Sequence, residues 1–599
     1  MALDEKNHTK NTSWRSFTRL GVKKGVFKRT ARKLETASVK HARRFILRRW
    51  SNVNSVSRRM ISWLVLTALL IGLTFFQMSW FQAGYMTEGP QDGGVYAEGM
   101  VGEIETLNPL YISTQPEKTA EKLLFSSLLA YDRDNSLRSD AAKSWDVSDD
   151  GKVYTINLRD DIYWHDGSKL TIEDVLFTIK LMQSPGSKTS LYKSWAGVSV
   201  EKITNKQIRI TTPTVYAPFA HALTFSILPK HILDGVTTSK LREHSFSRIP
   251  VGSGPFKFQR IQIISPSTNR MVIHMEKNDK YYGGTVRLSR FQIHTFKSSE
   301  YLKKGILTGE VNAAFRLSAS DIQTVQSQNP FIKNTHMKLN NGVFAIFNTS
   351  SPILADSTVR QALVEATNRR SIISDALYGN GALMDGPILV QSGNFQLSYD
   401  TRKAANKLDQ LGWIVGSDDI RQKDGQKLEL EIVAPDTGDY PAILALITKQ
   451  WKQVGVKTSV KLVDRDELFG EFVQPRSYDV FLNELSIGAD PDVYAYWHSS
   501  QAKPEGLNFA NYKSSIADDI LSSARSRMDS KLRLSKYQAF AERWSIDSPA
   551  IALYQPEANY LTVSSAVTGE DGSILAEPST RLRSVHEWTA QSATVYKTP

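Results

Sequence analysis

The stretch WDVSDDGKVYTINLRDDIYWHDGSKLTIEDV, Trp145 to Val175, is where the fold is most legible. Trp145 to Val147 predicts a strand, Asp149-Asp150-Gly151 supplies the Asp-Gly turn of a hairpin, and Val153 to Leu158 returns with the alternation of a half-buried strand. Trp164-His165-Asp166-Gly167 is turn chemistry. Leu170 to Val175 then opens a helix, with Thr171 as N-cap, Asp174 three residues on as in a capping box, and Leu170 and Val175 placed for a hydrophobic staple. Val175, Ile179 and Met182 mark its buried stripe.

Downstream, the spacing predicts helices over Ser357 to Leu377, Thr401 to Leu411 before Gly412, and Tyr440 to Val454 before Gly455. Strands are predicted at Leu428 to Val433, Val456 to Leu462 and Tyr478 to Leu482. This alternation implies an α/β lobe with a substantially parallel sheet. Upstream, Gly84 to Gly94 is glycine-rich and reads as a short tether, so the body runs from about residue 95 to the C-terminus. About 500 residues are too many for one core, and two or more lobes are expected.

The chain has 599 residues, 41% of them hydrophobic and 23% charged, and no cysteine. That composition is globular, and the missing thiols exclude disulfide frameworks, thiolate metal sites, Cys nucleophiles and a lipidated-cysteine anchor. The net charge of +13 is unevenly placed. Residues 1–59 hold 17 Lys or Arg against Asp4, Glu5 and Glu35, leaving 57 basic and 58 acidic side chains in the other 540 residues. The body is therefore balanced, and its charge gives no case for nucleic acid.

The basic tail ends at the apolar run ISWLVLTALLIGLTFFQMSWF, Ile61 to Phe81, long enough for a bilayer core, with Trp63 near one end and Trp80, Phe81 and Tyr85 near the other. Arg43, Arg44, Arg48, Arg49, Arg58 and Arg59 precede it, whereas Glu88 and Asp92 follow. This asymmetry predicts a single-pass cell-membrane protein with a cytoplasmic N-terminus and an extracytoplasmic body. A cleavable signal peptide is the competing reading; the long preceding segment and the poor cleavage site at Phe81-Gln82-Ala83 favour an uncleaved anchor. Within the tail, Lys23 to Trp50 has the pattern of a basic amphipathic helix suited to anionic lipid.

Catalytic signatures are missing from the sequence: no P-loop, Gly-x-Ser-x-Gly, His-Glu-x-x-His, EF-hand loop or dinucleotide fingerprint occurs. Gly252-Ser253-Gly254-Pro255 lacks the Lys-Ser/Thr of a phosphate loop and reads as a turn before a strand. His165-Asp166 reads as turn structure rather than an acid–base pair, and Asp490 and Asp492 lack further metal ligands. Neither an enzyme, nor a cofactor, nor a metal site is predicted.

Several motifs, in order, resemble one family: Leu107-Asn108-Pro109-Leu110, Ala142-Lys143-Ser144-Trp145, Asp149-Asp150-Gly151, Trp164-His165-Asp166-Gly167, Thr171 to Val175, Gly252 to Phe256, Val359-Arg360-Gln361-Ala362 and Pro549 to Tyr554. The chain from about 95 to 590 is similar to the family 5 solute-binding proteins of ABC importers, the oligopeptide, dipeptide and nickel type. The resemblance implies a two-lobed α/β fold of the type II, cluster C-like periplasmic-binding-protein class, with an extra subdomain and here one preceding transmembrane helix. Mapped on this chain, it gives a basic cytoplasmic tail at 1–59, a span at 60–82, a linker at 83–94 and a binding domain at 95–599. Lobe I takes about 95–140, 210–338 and 545–599, the extra subdomain about 141–209, and lobe II about 339–545.

The same resemblance implies that an extended ligand enters an open cleft and stabilises the closed form by contacting both lobes. Peptide-binding members use an Asp in a Gly/Cys-Ala-Asp segment to pair with the ligand's ammonium, and Gly488-Ala489-Asp490 stands at that place; an ordinary turn at Asp490-Pro491-Asp492 is the alternative. Two departures accompany it: Ile487 replaces a Trp, and Glu484 replaces an Arg that would meet a ligand carboxylate. Tyr494, Tyr496 and Trp497 are candidate cleft aromatics, with Phe344 and Asn348 beside the expected crossover. The expected function is a membrane-anchored, monomeric subunit that captures peptides and hands them to permease and ATPase subunits. The alternative is an anchored receptor or surface interaction protein using the same fold, without transport, for a peptide or other solute.

Overall fold

The computed structural model describes residues 40, 50–389, 398–464, 467–563 and 574–596. The chain forms two compact units, Met1–Gly89 with Thr594–Pro599, and Pro90–Ala593.

The first unit carries the helix Trp50–Tyr85, whose segment Arg59–Phe81 is long and apolar enough to cross a membrane and has no buried residue. Trp63, Phe75, Phe76 and Trp80 stand exposed on it, as side chains facing lipid would. The expected basic amphipathic helix of Lys23 to Trp50 lies outside the described residues except at 40 and 50, and the Tyr85 side chain is also outside them.

The second unit is the two-lobed α/β body. In the first lobe, five strands lie in the order Ala313–Phe315, Val95–Val101, Arg290–Phe296, Arg270–Lys277 and Phe256–Ser265. In the second lobe the order is Lys457–Val463, Glu429–Pro435, Val480–Ser486, Asn341–Phe347 and Ala550–Thr562. Only the first two of these pairings are parallel; Asn341–Phe347 runs antiparallel to both neighbours. The sheet is therefore mixed, because the two strands at its first-lobe end are the crossing segments themselves, which run antiparallel.

Period-two alternation sorts the second lobe into two cores. Val343, Ala345 and Phe347 enter one with Leu430, Ile432, Val480, Leu482 and Trp451, while Phe344 and Ile346 enter the other with Phe481, Trp497 and Trp544. The crossing is made twice. Lys333–Leu339 pairs with Ala550–Thr562 on the first-lobe side and is followed after Asn340 by Asn341–Phe347 on the second-lobe side. The 13-residue strand Ala550–Thr562 passes back through both, so two adjacent strands link the lobes.

A separate antiparallel sheet, in the order Ala142–Val147, Val153–Leu158, Gln207–Thr211 and Ser199–Lys202, carries the hairpin legible in the sequence. The helix Ile172–Met182 follows. The Asp174 carboxylate accepts the Thr171 N–H at 2.8 Å and the Thr171 hydroxyl at 3.0 Å, and Leu170 and Val175 are buried. Asp174 also accepts the Lys230 N–H at 2.9 Å, which fixes the next element to the helix start.

The single helix expected over Ser357 to Leu377 is broken. It runs Ser357–Glu365, and Asn368 caps a new start by accepting the Ser371 N–H at 3.1 Å, after which Ile372–Ala376 winds as a π-turn. An Asn side chain competes for backbone donors, and here the cap prevails over continuation.

Candidate functional site: the cleft between the lobes

A cavity of about 960 Å³ lies between the lobes, beside the crossing strands. The first lobe contributes Met100 to Glu103, Glu105, Ser113 to Gln115, Lys297 and Phe315 to Ala319; the second contributes Leu377, Asn380, Thr437 to Tyr440, Asp464 and Glu484; Tyr554, Pro556, Glu557 and Asn559 come from the returning strand.

Two polar contacts bridge the lobes across this cavity. Arg316 Nη2 donates to Glu484 Oε2 at 2.7 Å, and the Ala319 N–H donates to Asp439 Oδ1 at 3.1 Å. Arg316 has φ 57°, the left-handed region that a non-glycine residue adopts at a cost, and its N–H donates to the Asn559 carbonyl at 3.0 Å. That strained turn aims the guanidinium out of the first-lobe sheet and toward Glu484. Glu484 also accepts from Asn341 Nδ2 at 2.5 Å. Burial pushes the Glu484 carboxyl up, but the Arg316 charge and these hydrogen bonds outweigh it and hold it below the usual carboxylate range. Asp439, at the N-cap position of the helix Tyr440–Lys452, is pushed up, first by burial and then by nearby Asp321, against the opposing pull of the Ala319 N–H and Arg316.

Further contacts between the lobes lie at the Asp490 segment. Arg533 Nη2 donates to Asp490 Oδ1 at 2.7 Å, and His221 Nε2 of the first lobe faces Asp490 Oδ2 at 3.8 Å. Asp492 takes Arg525 at 3.0 Å and accepts the Tyr216 hydroxyl at 3.4 Å. Asp490 Oδ1 accepts the Asp492 N–H at 3.1 Å, and Asp492 Oδ1 the Tyr494 N–H at 3.3 Å, so the segment is also a hydrogen-bonded turn.

The structure places each residue that the sequence suggested. Asp490 does not offer an unpaired carboxylate: its side chain is 10% exposed and already has a cation in Arg533, itself 14% exposed. It also lies outside the lining of the large cavity. Phe344 and Trp497 are core, each 1% exposed, with ring centroids 5.9 Å apart and both against Trp544. Asn348 is scaffold, donating to the Arg476 and Tyr478 carbonyls at 3.2 and 3.1 Å. Tyr494 is half-buried and sandwiched, its ring 4.0 Å from both the His498 ring and the Arg525 guanidinium carbon. Alternation within each strand sends residues to both faces, and adjacency to the crossover does not say which face meets the cleft.

Sequence reasoning missed Arg316 and Asp439. Asp439 had one usable signal, an Asp directly before a Tyr-Pro helix start. Arg316 had none, because its role depends on a left-handed backbone conformation.

His165 is structural as well. Its Nδ1 accepts the Gly252 N–H at 3.2 Å, its Nε2 donates to the Gly254 carbonyl at 3.1 Å, and its own N–H donates to the Gly252 carbonyl at 2.8 Å. A Cβ on Gly252 would stand 1.8 Å from the Leu124 carbonyl oxygen, which explains why a glycine is needed here. Among the described residues no group of three or more His, Asp or Glu side chains is arranged to hold a metal.

Comparison with known proteins follows the same architecture. The chain is 29% identical over 483 residues to the oligopeptide-binding protein AppA of Bacillus subtilis, covering 78% of this chain and 87% of that one. The structure of that AppA in complex with a nonapeptide superposes with a TM-score of 0.70 at 27% identity, covering 84% of this chain and 99% of AppA. NikZ from Campylobacter jejuni, in complex with Ni(L-His), gives 0.72 at 27% identity, covering 83% and 99%. Residues 136–506 match the family described as bacterial extracellular solute-binding proteins, family 5 Middle, and with two α/β lobes on either side of a cavity beside their crossing strands, the chain belongs to that family of binding proteins.

Proposed function

We propose that this chain is the membrane-anchored, extracytoplasmic solute-binding component of an ABC importer, that its solute is a short peptide, and that the two lobes close on it. The observation that carries this reading is the 960 Å³ cavity with polar contacts from both lobes across it, Arg316 to Glu484 and Ala319 to Asp439. Its size lies at the upper end of the about 300–1,000 Å³ typical of small-solute sites. A solute touching both walls stabilises the lobes-together form by its preference for that form. The peptide is supported by AppA, a relative named for oligopeptides and seen with a nonapeptide. Anchoring is supported by the apolar helix segment Arg59–Phe81 and the arginines before it.

We take the domain division expected from the sequence, which is supported by the strand pairing: Lys333–Leu339 and Ala550–Thr562 meet the first lobe, Asn341–Phe347 the second, and the four-stranded sheet of Ala142–Val147, Val153–Leu158, Gln207–Thr211 and Ser199–Lys202 is read as the extra subdomain. The basic tail is read as a cytoplasmic segment at anionic lipid, with permease and ATPase subunits as partners.

Cells lacking the gene, supplied with labelled two- to six-residue peptides, test transport directly. Loss of uptake, restored by a full chain in which the tail Lys and Arg before Lys40 are replaced by Gln while Arg43 to Arg59, which set the orientation of the span, are kept, is the expected result. Unchanged uptake, together with a response to peptide that needs the basic tail, overturns the importer reading in favour of an anchored receptor.

A further inference from the structure

The charge of the body is balanced, but the cleft is not. Six carboxylates line it: Glu103, Glu105, Asp439, Asp464, Glu484 and Glu557. Among the described residues only Lys297 and Arg316 oppose them. Negative charge is thus concentrated in a large concavity that both lobes share, where low-dielectric walls focus a field instead of letting water disperse it.

Pairing sharpens the imbalance. Arg316 is occupied by Glu484 at 2.7 Å. Glu105 takes Arg242 at 2.9 Å, and Glu557 faces His336 at 3.3 Å. Glu103, Asp439 and Asp464 make no ion pair among the described residues. Asp439 is the most telling of the three. It is half-buried, it is held at the lobe junction by the Ala319 N–H, and the one hydrogen bond its carboxylate makes among the described residues uses Oδ1, which leaves Oδ2 for a ligand. The N-terminus of the helix Tyr440–Lys452 offsets part of its charge, but a buried carboxylate without a full cation remains costly.

Resting on the reading of this cleft as the solute site, we infer that its solute is cationic: a short peptide carrying Lys or Arg side chains in addition to its ammonium. Glu103 and Asp464 on opposite lobes would receive such side chains, and Asp439 would take the group nearest the junction. A peptide rich in Asp or Glu finds only the exposed Lys297, since Arg316 is already paired, and meets like charge elsewhere. Positive charge on the solute would also bridge carboxylates of the two lobes, so the same feature that selects the solute favours closure.

The test is calorimetric titration of the detergent-solubilised full chain with three pentapeptides of alanine carrying two lysines, two glutamines or two glutamates, and with spermidine as a non-peptide cation. The lysine peptide is expected to bind about tenfold or more tighter than the glutamine peptide, and the glutamate peptide not at all. Asp439→Asn should weaken the lysine peptide about tenfold and the glutamine peptide much less, and Glu103→Gln, at an exposed site that folding does not depend on, should act in the same direction. Equal binding of all three peptides overturns the cationic assignment while the peptide reading stands. Binding of spermidine with none of the peptides upholds the charge class and overturns the peptide reading; no binding by any of the four overturns both.

Discussion

Arg316 and Glu484 meet at 2.7 Å, one from each lobe, and Glu484 is simultaneously held by Asn341 on the crossing strand. The pair ties the first lobe to the second beside the crossing strand Asn341–Phe347. Its side chains are 36% and 21% exposed, so it is a partly desolvated bridge rather than a surface pair.

Removing one partner leaves the other uncompensated. Arg316→Ala removes a contact between the lobes and should lower affinity for an uncharged peptide by about tenfold, equivalent to about 1–2 kcal/mol, with a smaller loss when Glu484→Gln is added. A double-mutant cycle measured by titration checks this, and additive single effects would show that the pair carries no coupling.

Asp490 supplies a prediction that separates two roles. A carboxylate serving a ligand ammonium would, on Asp490→Asn, lose binding of free peptides but not of N-acetylated ones. With Arg533 already on Asp490, the substitution should instead destabilise the body by about 1–3 kcal/mol and change both peptide classes by the same factor. Denaturant melts and paired titrations read the two effects.

Gly252 and Gly167 should respond differently to alanine. At Gly252 the new Cβ would meet the Leu124 carbonyl oxygen at 1.8 Å, which only backbone movement can relieve, and a loss of about 3 kcal/mol or more is expected. At Gly167 nothing lies within 4 Å, and only its φ of 92° is unfavourable to a side chain, so a loss of about 1 kcal/mol is expected. Thermal melts of the two variants would rank them, and the reverse order would contradict the backbone contact.

Acid should destabilise the body through histidines as well as carboxylates. Burial pushes His165 down to about 4, and His294 likewise, the latter helped by nearby Arg270 and His274. A histidine of ordinary value near 6.5 takes up its proton first in the unfolded chain, so folded stability falls as pH drops from about 6.5 to about 4 and levels off below. His165 alone accounts for on the order of 3 kcal/mol over that window. His165→Gln should flatten the slope of stability against pH between these limits; an unchanged slope would show that the buried imidazole is not the group titrating.

The hairpin at Trp145 to Leu158 and the helix start at Thr171 were legible because they rest on local rules, an Asp-Gly turn, period-two alternation and a cap with its staple. The apolar helix was legible for the same reason, length and composition being enough. The site was not. Phe344 and Trp497 were candidates by their place in the chain, yet both point into the core: Phe344 lies on a strand whose two faces are covered by the second lobe's own two cores, and Trp497 on the short helix Tyr494–Trp497 packs against Trp544. Arg316 and Asp439 contribute through contacts with Glu484 and Ala319, more than 100 residues away in sequence, and no periodicity reports a pairing of that kind.

Closure of the lobes around a solute is most directly measured as a distance. Because the chain has no cysteine, Ser320→Cys in the first lobe and Lys449→Cys in the second give two unique exposed sites for spin labels. Pulsed dipolar spectroscopy on the full chain in detergent should show a broad distribution without solute that narrows and shortens when short basic peptides are added. A distribution unchanged by peptides that saturate the protein would contradict capture by lobe closure.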